Sequence, residues 1–259
     1  MALLNLPIDQ IYTFLFVLVR VAAMLFFIPF LDSRNIPVLL KVGLAVAVSV
    51  LIVPQLDAGA LPGELNAFQL VVGLAGEISL GLILGFSVQL FFVGVQLAGQ
   101  MAGFQMGLAI ANVLDPASSV QIPILAQFLN LFALLIFLTL NVHHHFIRAM
   151  VEGFEVIPLM AVQINADLFP LIMALVRQSF IVAVKVGAPV MVALLLTSGA
   201  LGLVARNVPQ MQIFVVAMPL KIIIGLLFFG FSLPFCANFL TDAFGVLTQT
   251  LRGILRIVS

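Results

Sequence analysis

From Ile78 to Leu114 the chain runs for 37 residues without a charged side chain. A straight helix of that length rises about 55 Å, far more than the ~30 Å hydrocarbon layer of a bilayer, so this run is not one ordinary transmembrane span. On a helical wheel Gly85, Gln89, Gln96, Gln100, Gly103 and Gly107 fall within about 60° of one another. They draw a narrow stripe of small and amide residues along an otherwise apolar surface. Amides turned to lipid leave donors unsatisfied at a cost of several kcal/mol each. Against another helix they hydrogen-bond, and the glycines let two backbones approach closely. The stripe is therefore expected to be a packing surface in an assembly.

The rest of the chain extends this reading. Of its 259 residues 64% are hydrophobic and 8% charged, with a mean hydropathy of +1.32. These values exclude a soluble globular domain and imply one integral membrane domain over residues 1–259. Ten basic residues balance ten acidic ones without a basic run, so no nucleic-acid partner is expected. The single cysteine, Cys236, lies in an apolar segment and reads as a small buried hydrophobe. The N-terminal apolar segment has no basic start and no small-residue cleavage site, and is expected to be retained. Phenylalanine occurs 24 times, but Tyr12 is the only tyrosine and tryptophan is absent. The aromatic belts that usually mark both membrane interfaces are missing, which suggests that much of this surface meets protein.

Apolar segments lie at about Ile11–Leu31, Ile36–Val53, Phe68–Leu114, Ile122–Leu140, Leu168–Val204 and Ile213–Leu240, followed by an amphipathic piece from Ala243. All have lengths and compositions suited to helices, separated by connectors rich in Pro, Gly, Asn and Asp. Pro189, Pro219 and Pro234 fall inside their segments, where each removes a backbone hydrogen bond and favours a bend. The fold class is all-α: a polytopic membrane protein of bent, tilted hairpins. The arginines of the tail, Arg252 and Arg256, favour a cytoplasmic C-terminus.

Six ionisable residues interrupt the apolar segments: Arg20, Lys41, Glu77, Arg177, Lys185 and Lys221. A charge near mid-membrane costs at least ~2.5 kcal/mol on the insertion scale, so each needs a partner or water. Five are basic and one is acidic, so they cannot all pair with one another. Helix C-terminal carbonyls, loop acids such as Asp115, or carboxylates of other subunits must serve the remainder. Glu77 is expected to pair with a basic residue of this chain or of a neighbour. A proton relay would present several buried acids, which this sequence does not. His143, His144 and His145 are adjacent, hence about 100° apart on a helix, and do not converge on one metal. They read as a polar end to the Ile122–Leu140 helix. No nucleophile elbow, zinc-protease motif or phosphate loop is present, so neither an enzyme nor a bound cofactor is expected.

The stretch from Gly99 to Pro116 passes from small residues into an apolar, partly β-branched loop and then a turn dipeptide. It stands with Arg20, Pro29, Pro37 and Lys41, with Glu77-x-x-x-Gly81-x-x-x-Gly85, with Asn141-x-His143-His144, and with Arg206-x-x-Pro209-Gln210 leading to Pro219-Leu220-Lys221. In this order and spacing the whole chain resembles the FliR family of flagellar export proteins. The injectisome SctT proteins share that architecture.

The resemblance implies assembly with FliP and FliQ into a helical, pore-forming export gate in the bacterial inner membrane, at the flagellar basal body, with FlhB attached. Such a gate passes unfolded flagellar proteins. Carried over by position, the family's plug loop corresponds to Met106 through Asp115, with Met106, Leu108, Ile110, Val113, Leu114 and Asp115 as its candidate residues. An apolar constriction of this kind seals by dewetting. The competing reading from another class is a small-molecule transporter acting alone. It would be expected to show an internal repeat and convergent polar groups, and the sequence shows neither.

Overall fold

The computed structural model of the chain describes residues 8–29, 36–56, 65–108, 123–162, 168–207 and 213–258. Among them are seven α-helices and no strand. They are α1 (Ile8–Leu25), α2 (Val38–Ile52), α3 (Ala67–Met106), α4 (Ile124–Thr139), α5 (Val142–Val156), α6 (Leu168–Asn207) and α7 (Ile213–Val258). A short 3-10 turn, Val53–Gln55, closes α2, with Pro54 near its start. The stretch Val38–Gln55 and the helices α3, α6 and α7 are long and apolar enough to cross a membrane, and α4 with α5 makes a fifth candidate bent by 67°.

The 40 residues of α3 and of α6 and the 46 of α7 are continuous helices. At 1.5 Å per residue they are about 60 to 70 Å long, twice a bilayer's hydrocarbon depth. The separate amphipathic piece expected from Ala243 is instead the continuation of α7. Leu240, Ala243, Phe244, Leu247, Leu251, Ile254 and Leu255 are all buried, and their three- and four-residue spacing keeps one helical face covered on both sides of Ala243. Pro189, Pro219 and Pro234 also lie within unbroken helices. The sharp turn falls at Asn141, which adopts the left-handed conformation (φ 54°, ψ 29°) between α4 and α5. Asn is one of the few residues besides Gly that visits that region readily. The three histidines consequently open α5 rather than end α4, correcting the expectation drawn from the apolar segment.

The described chain divides into two compact units interleaved in sequence. One comprises residues 1–90, 141–175 and 245–259, the other residues 91–140 and 176–244. In the first, α1 packs on α2 and turns Phe16, Val17, Arg20, Val21 and Met24 inward, a face of period three to four. Gly81 and Gly85 of α3 meet α1 closely. A methyl at Gly81 would lie 2.7 Å from Ala23 Cβ and from the Arg20 carbonyl oxygen, and one at Gly85 would lie 2.8 Å from Phe27 Cβ.

The second unit contains four buried rings in mutual contact, Phe91, Phe92, Phe137 and Phe244. Their centroids are 4.4 to 6.0 Å apart, mostly edge-on or tilted, the separations that aromatic pairs prefer. Here α3 carries a small-residue face of its own, Gly94-x-x-x-Ala98-x-x-x-Ala102, with both alanines buried. At Gly99 a methyl would sit 2.6 Å from the Ala126 nitrogen and 2.9 Å from the Leu125 carbonyl carbon. These are backbone atoms and have no rotamer by which to move away. Gly99→Ala is therefore expected to destabilise by about 1–3 kcal/mol through overpacking. Gly43→Ala on α2, where nothing lies within 4 Å of the added methyl, should be neutral or slightly stabilising. Thermal melting of the complex purified with each variant compares the two, and equal melting temperatures would refute the close approach.

Candidate functional site

The most constrained polar site of the first unit is built on Arg20 and Glu77, whose side chains are 1% and 0% exposed. Arg20 occupies the core face of α1, and Glu77 stands one helical turn before Gly81 on α3. The absent side chain at Gly81 lets the two helices close until the Arg20 Nε donates to Glu77 Oε2. Arg20 Nη1 donates to the carbonyl oxygens of Gly153 (3.2 Å) and Ile157 (3.1 Å) at the C-terminal end of α5. The guanidinium carbon lies 4.3 Å from the centre of the Phe154 ring. On the other side Glu77 Oε1 accepts from the Met160 backbone N–H at 3.0 Å, and Met160 holds a positive φ of 65°. A cation here serves both a carboxylate and the negative end of a helix, and a ring face adds to its stabilisation. The cluster ties α1, α3 and the exit of α5 together.

The other ionisable residues are placed differently. Lys41 and Lys221 are half-buried, and Arg177 and Lys185 are exposed on this chain. Lys41 Nζ lies 5.6 Å from the Phe26 ring, and Lys185 Nζ lies 5.4 Å from the Phe239 ring. The apolar segments located these charges along the chain but not around their helices, so Lys185, expected among the buried charges, is an outward-facing residue here. His143 and His144 lie with ring centres 4.2 Å apart. Among the described residues no three His, Cys, Asp or Glu side chains gather as a metal would require.

The stripe on α3 is divided among different neighbours. Gly85 meets α1, and Gln96 Nε2 donates to Asn130 Oδ1 of α4 at 3.1 Å. Gln89 and Gln100 are half-buried, and a methyl added at Gly103 would meet no atom within 4 Å. Gly107 ends the helix: at φ 83° its N–H reaches the Phe104 carbonyl (3.1 Å), while the Leu108 N–H reaches the Gly103 carbonyl (3.1 Å). This paired closure requires a left-handed residue, hence glycine. Met106, just before it, is fully buried against Ala102, Leu125, Val190 and Leu194, with Leu108 and Phe229 packed alongside. Met106 is thus the anchored last residue of α3. Of the other candidate plug residues, Ile110, Val113, Leu114 and Asp115 lie outside the described residues.

Sequence reasoning overlooked the carbonyls of Gly153 and Ile157, the Met160 N–H and the Phe154 ring, which leave no residue-type signature. It also passed over the Gly94, Ala98, Ala102 face, whose four-residue spacing is legible.

Long apolar helices, a charge pair sealed in the core and small residues at helix contacts together define an all-α, polytopic membrane protein. Residues 11–247 match the family of bacterial export proteins, family 1. The chain is 33% identical to the flagellar biosynthetic protein FliR of Escherichia coli (strain K12) over 92% of its own length and 90% of that protein. It is 33% identical to FliR of Bacillus subtilis (strain 168) over 98% and 99%, and 32% identical to FliR of Caulobacter vibrioides over 91% and 94%. The chain belongs to this export-protein family, in its FliR group of flagellar export components.

Proposed function

We propose that this chain is a core subunit of the flagellar protein export gate, forming with FliP and FliQ the pore through which unfolded flagellar proteins leave the cell. FlhB is a further partner, the site is the inner membrane at the basal body, and the chain acts as one non-enzymatic domain without a cofactor. The observation that carries this reading is the family match along nearly the whole chain, with relatives covered end to end. Helices twice as long as a bilayer requires and an aromatic belt that is missing both fit a subunit covered largely by other subunits. The loop that follows the anchored Met106 and Gly107 supplies the apolar plug, because a constriction of bulky apolar side chains excludes ions by dewetting.

Co-expression with FliP and FliQ tests the assembly. The chain should copurify with them as one complex and degrade or aggregate when expressed alone, its half-buried amides and exposed cations then lacking partners. A homogeneous, protease-resistant monomer in mild detergent, indifferent to FliP and FliQ, would refute it.

A further inference from the structure

On one exposed face of α6 stand two cations, Arg177 and Lys185. Eight residues separate them, about 12 Å along the helix axis and roughly 80° around it. Met173, Phe180, Val184 and Val192 flank them and are about half exposed, Phe180 at 57% and Val184 at 52%. Among the described residues neither cation has an ion pair; Lys185 has only the Phe239 ring nearby. The sole acid among the described residues of the same unit, Asp242, is exposed one turn beyond Phe239 and forms no ion pair with them.

Three surroundings would satisfy such a face, and two fit poorly. A lipid headgroup layer would serve the outer cation and leave the other about 12 Å deeper in hydrocarbon. A water-filled passage would wet Phe180, Val184 and Val192, which are of the type that excludes water. A protein helix satisfies both features at once, apolar contact between the charges and a carboxylate at each. We propose that this face of α6 docks an apolar helix of another export-apparatus subunit, and that this partner helix carries two carboxylates about two turns apart that pair with Arg177 and Lys185. The inference rests on the assembly reading above and adds the chemistry of the surface and of its partner.

The test uses the complex purified with FliP and FliQ. Dicyclohexylcarbodiimide, which enters membranes, converts a buried carboxylate to an O-acylurea. The Lys185 amine then attacks it, forming an amide and releasing dicyclohexylurea. Mass spectrometry should find Lys185 joined to an Asp or Glu in an apolar segment of another subunit, and the link should vanish in Lys185→Arg while the complex persists. Lys185→Glu should lower complex yield about tenfold or more through like-charge repulsion, and reversing the linked partner acid to Lys should restore it. A link to Asp242 of the same chain, free acylation of Lys185 by a water-soluble amine reagent, or a Lys185→Glu complex formed in wild-type yield would each overturn the docking face. Wild-type yield is measured first: its failure would overturn the assembly reading itself, whereas an intact complex with any of those three results overturns the docking face alone.

Discussion

Replacing Glu77 by Ala should cost about 3–5 kcal/mol and remove most of the correctly folded protein. The change strands a guanidinium that is 1% exposed, in a core closed to solvent. It also leaves the Met160 N–H without its acceptor. Net stabilities of folded domains are of order 5–15 kcal/mol, so a loss of this size leaves little margin. Glu77→Gln should be milder, since the amide oxygen can still accept from Met160 or Arg20 but cannot neutralise the cation. The double change Arg20→Met with Glu77→Leu should recover much of the loss, because removing both partners of a buried pair avoids the unpaired charge. Melting temperature and yield of the purified complex report all three. An Ala variant that melts with the wild type would show that the pair holds nothing together.

Deleting Ile110 to Leu114 should have an effect of another kind: a complex that assembles but conducts ions at rest. The deletion lies beyond Met106 and the glycine closure at Gly107, so the packed end of α3 stays intact. If the four apolar side chains of this stretch, Ile110, Ala111, Val113 and Leu114, form the seal, water and ions enter once they are gone. If they only pack helices, the loss of four apolar side chains destabilises the protein instead, by several kcal/mol. Growth sensitivity to external ions and the yield of complex, measured together, separate the outcomes. Full assembly with an ion-tight membrane would place the seal elsewhere.

How much of the fold and the site is legible in the sequence can be judged at particular residues. The Glu77, Gly81, Gly85 spacing is visible there, because a four-residue repeat of small or polar types on an apolar helix is a local pattern. That it brings Glu77 to Arg20, 57 residues away, is not. Neither are the contributions of Gly153, Ile157 and Met160, since backbone carbonyls and N–H groups are the same in every residue. Asn141 and the histidines stand out, but a left-handed residue between two apolar stretches leaves only a weak trace, and prolines are the stronger sequence signal for a bend. At the other end of α3, Met106 reads as loop because its side chain is as apolar as those that follow. Only the packing of Ala102, Leu125, Val190 and Leu194 around it shows that it belongs to the end of α3.

What the sequence determined by itself was the class of solvent and the local geometry. A chain that is 64% hydrophobic with few charges must satisfy its backbone internally, and helices are the elements its long apolar runs can form. It also determined that its cations outnumber the acids in those runs. Tertiary structure alone decided which of them is served within the chain. Arg20 is enclosed because α1 and α3 close over glycine and the end of α5 offers carbonyls; Lys185, on as apolar a helix, is turned outward. Helix rotation and long-range contact are set by packing over the whole core, and no stretch of residues read in isolation contains that sum.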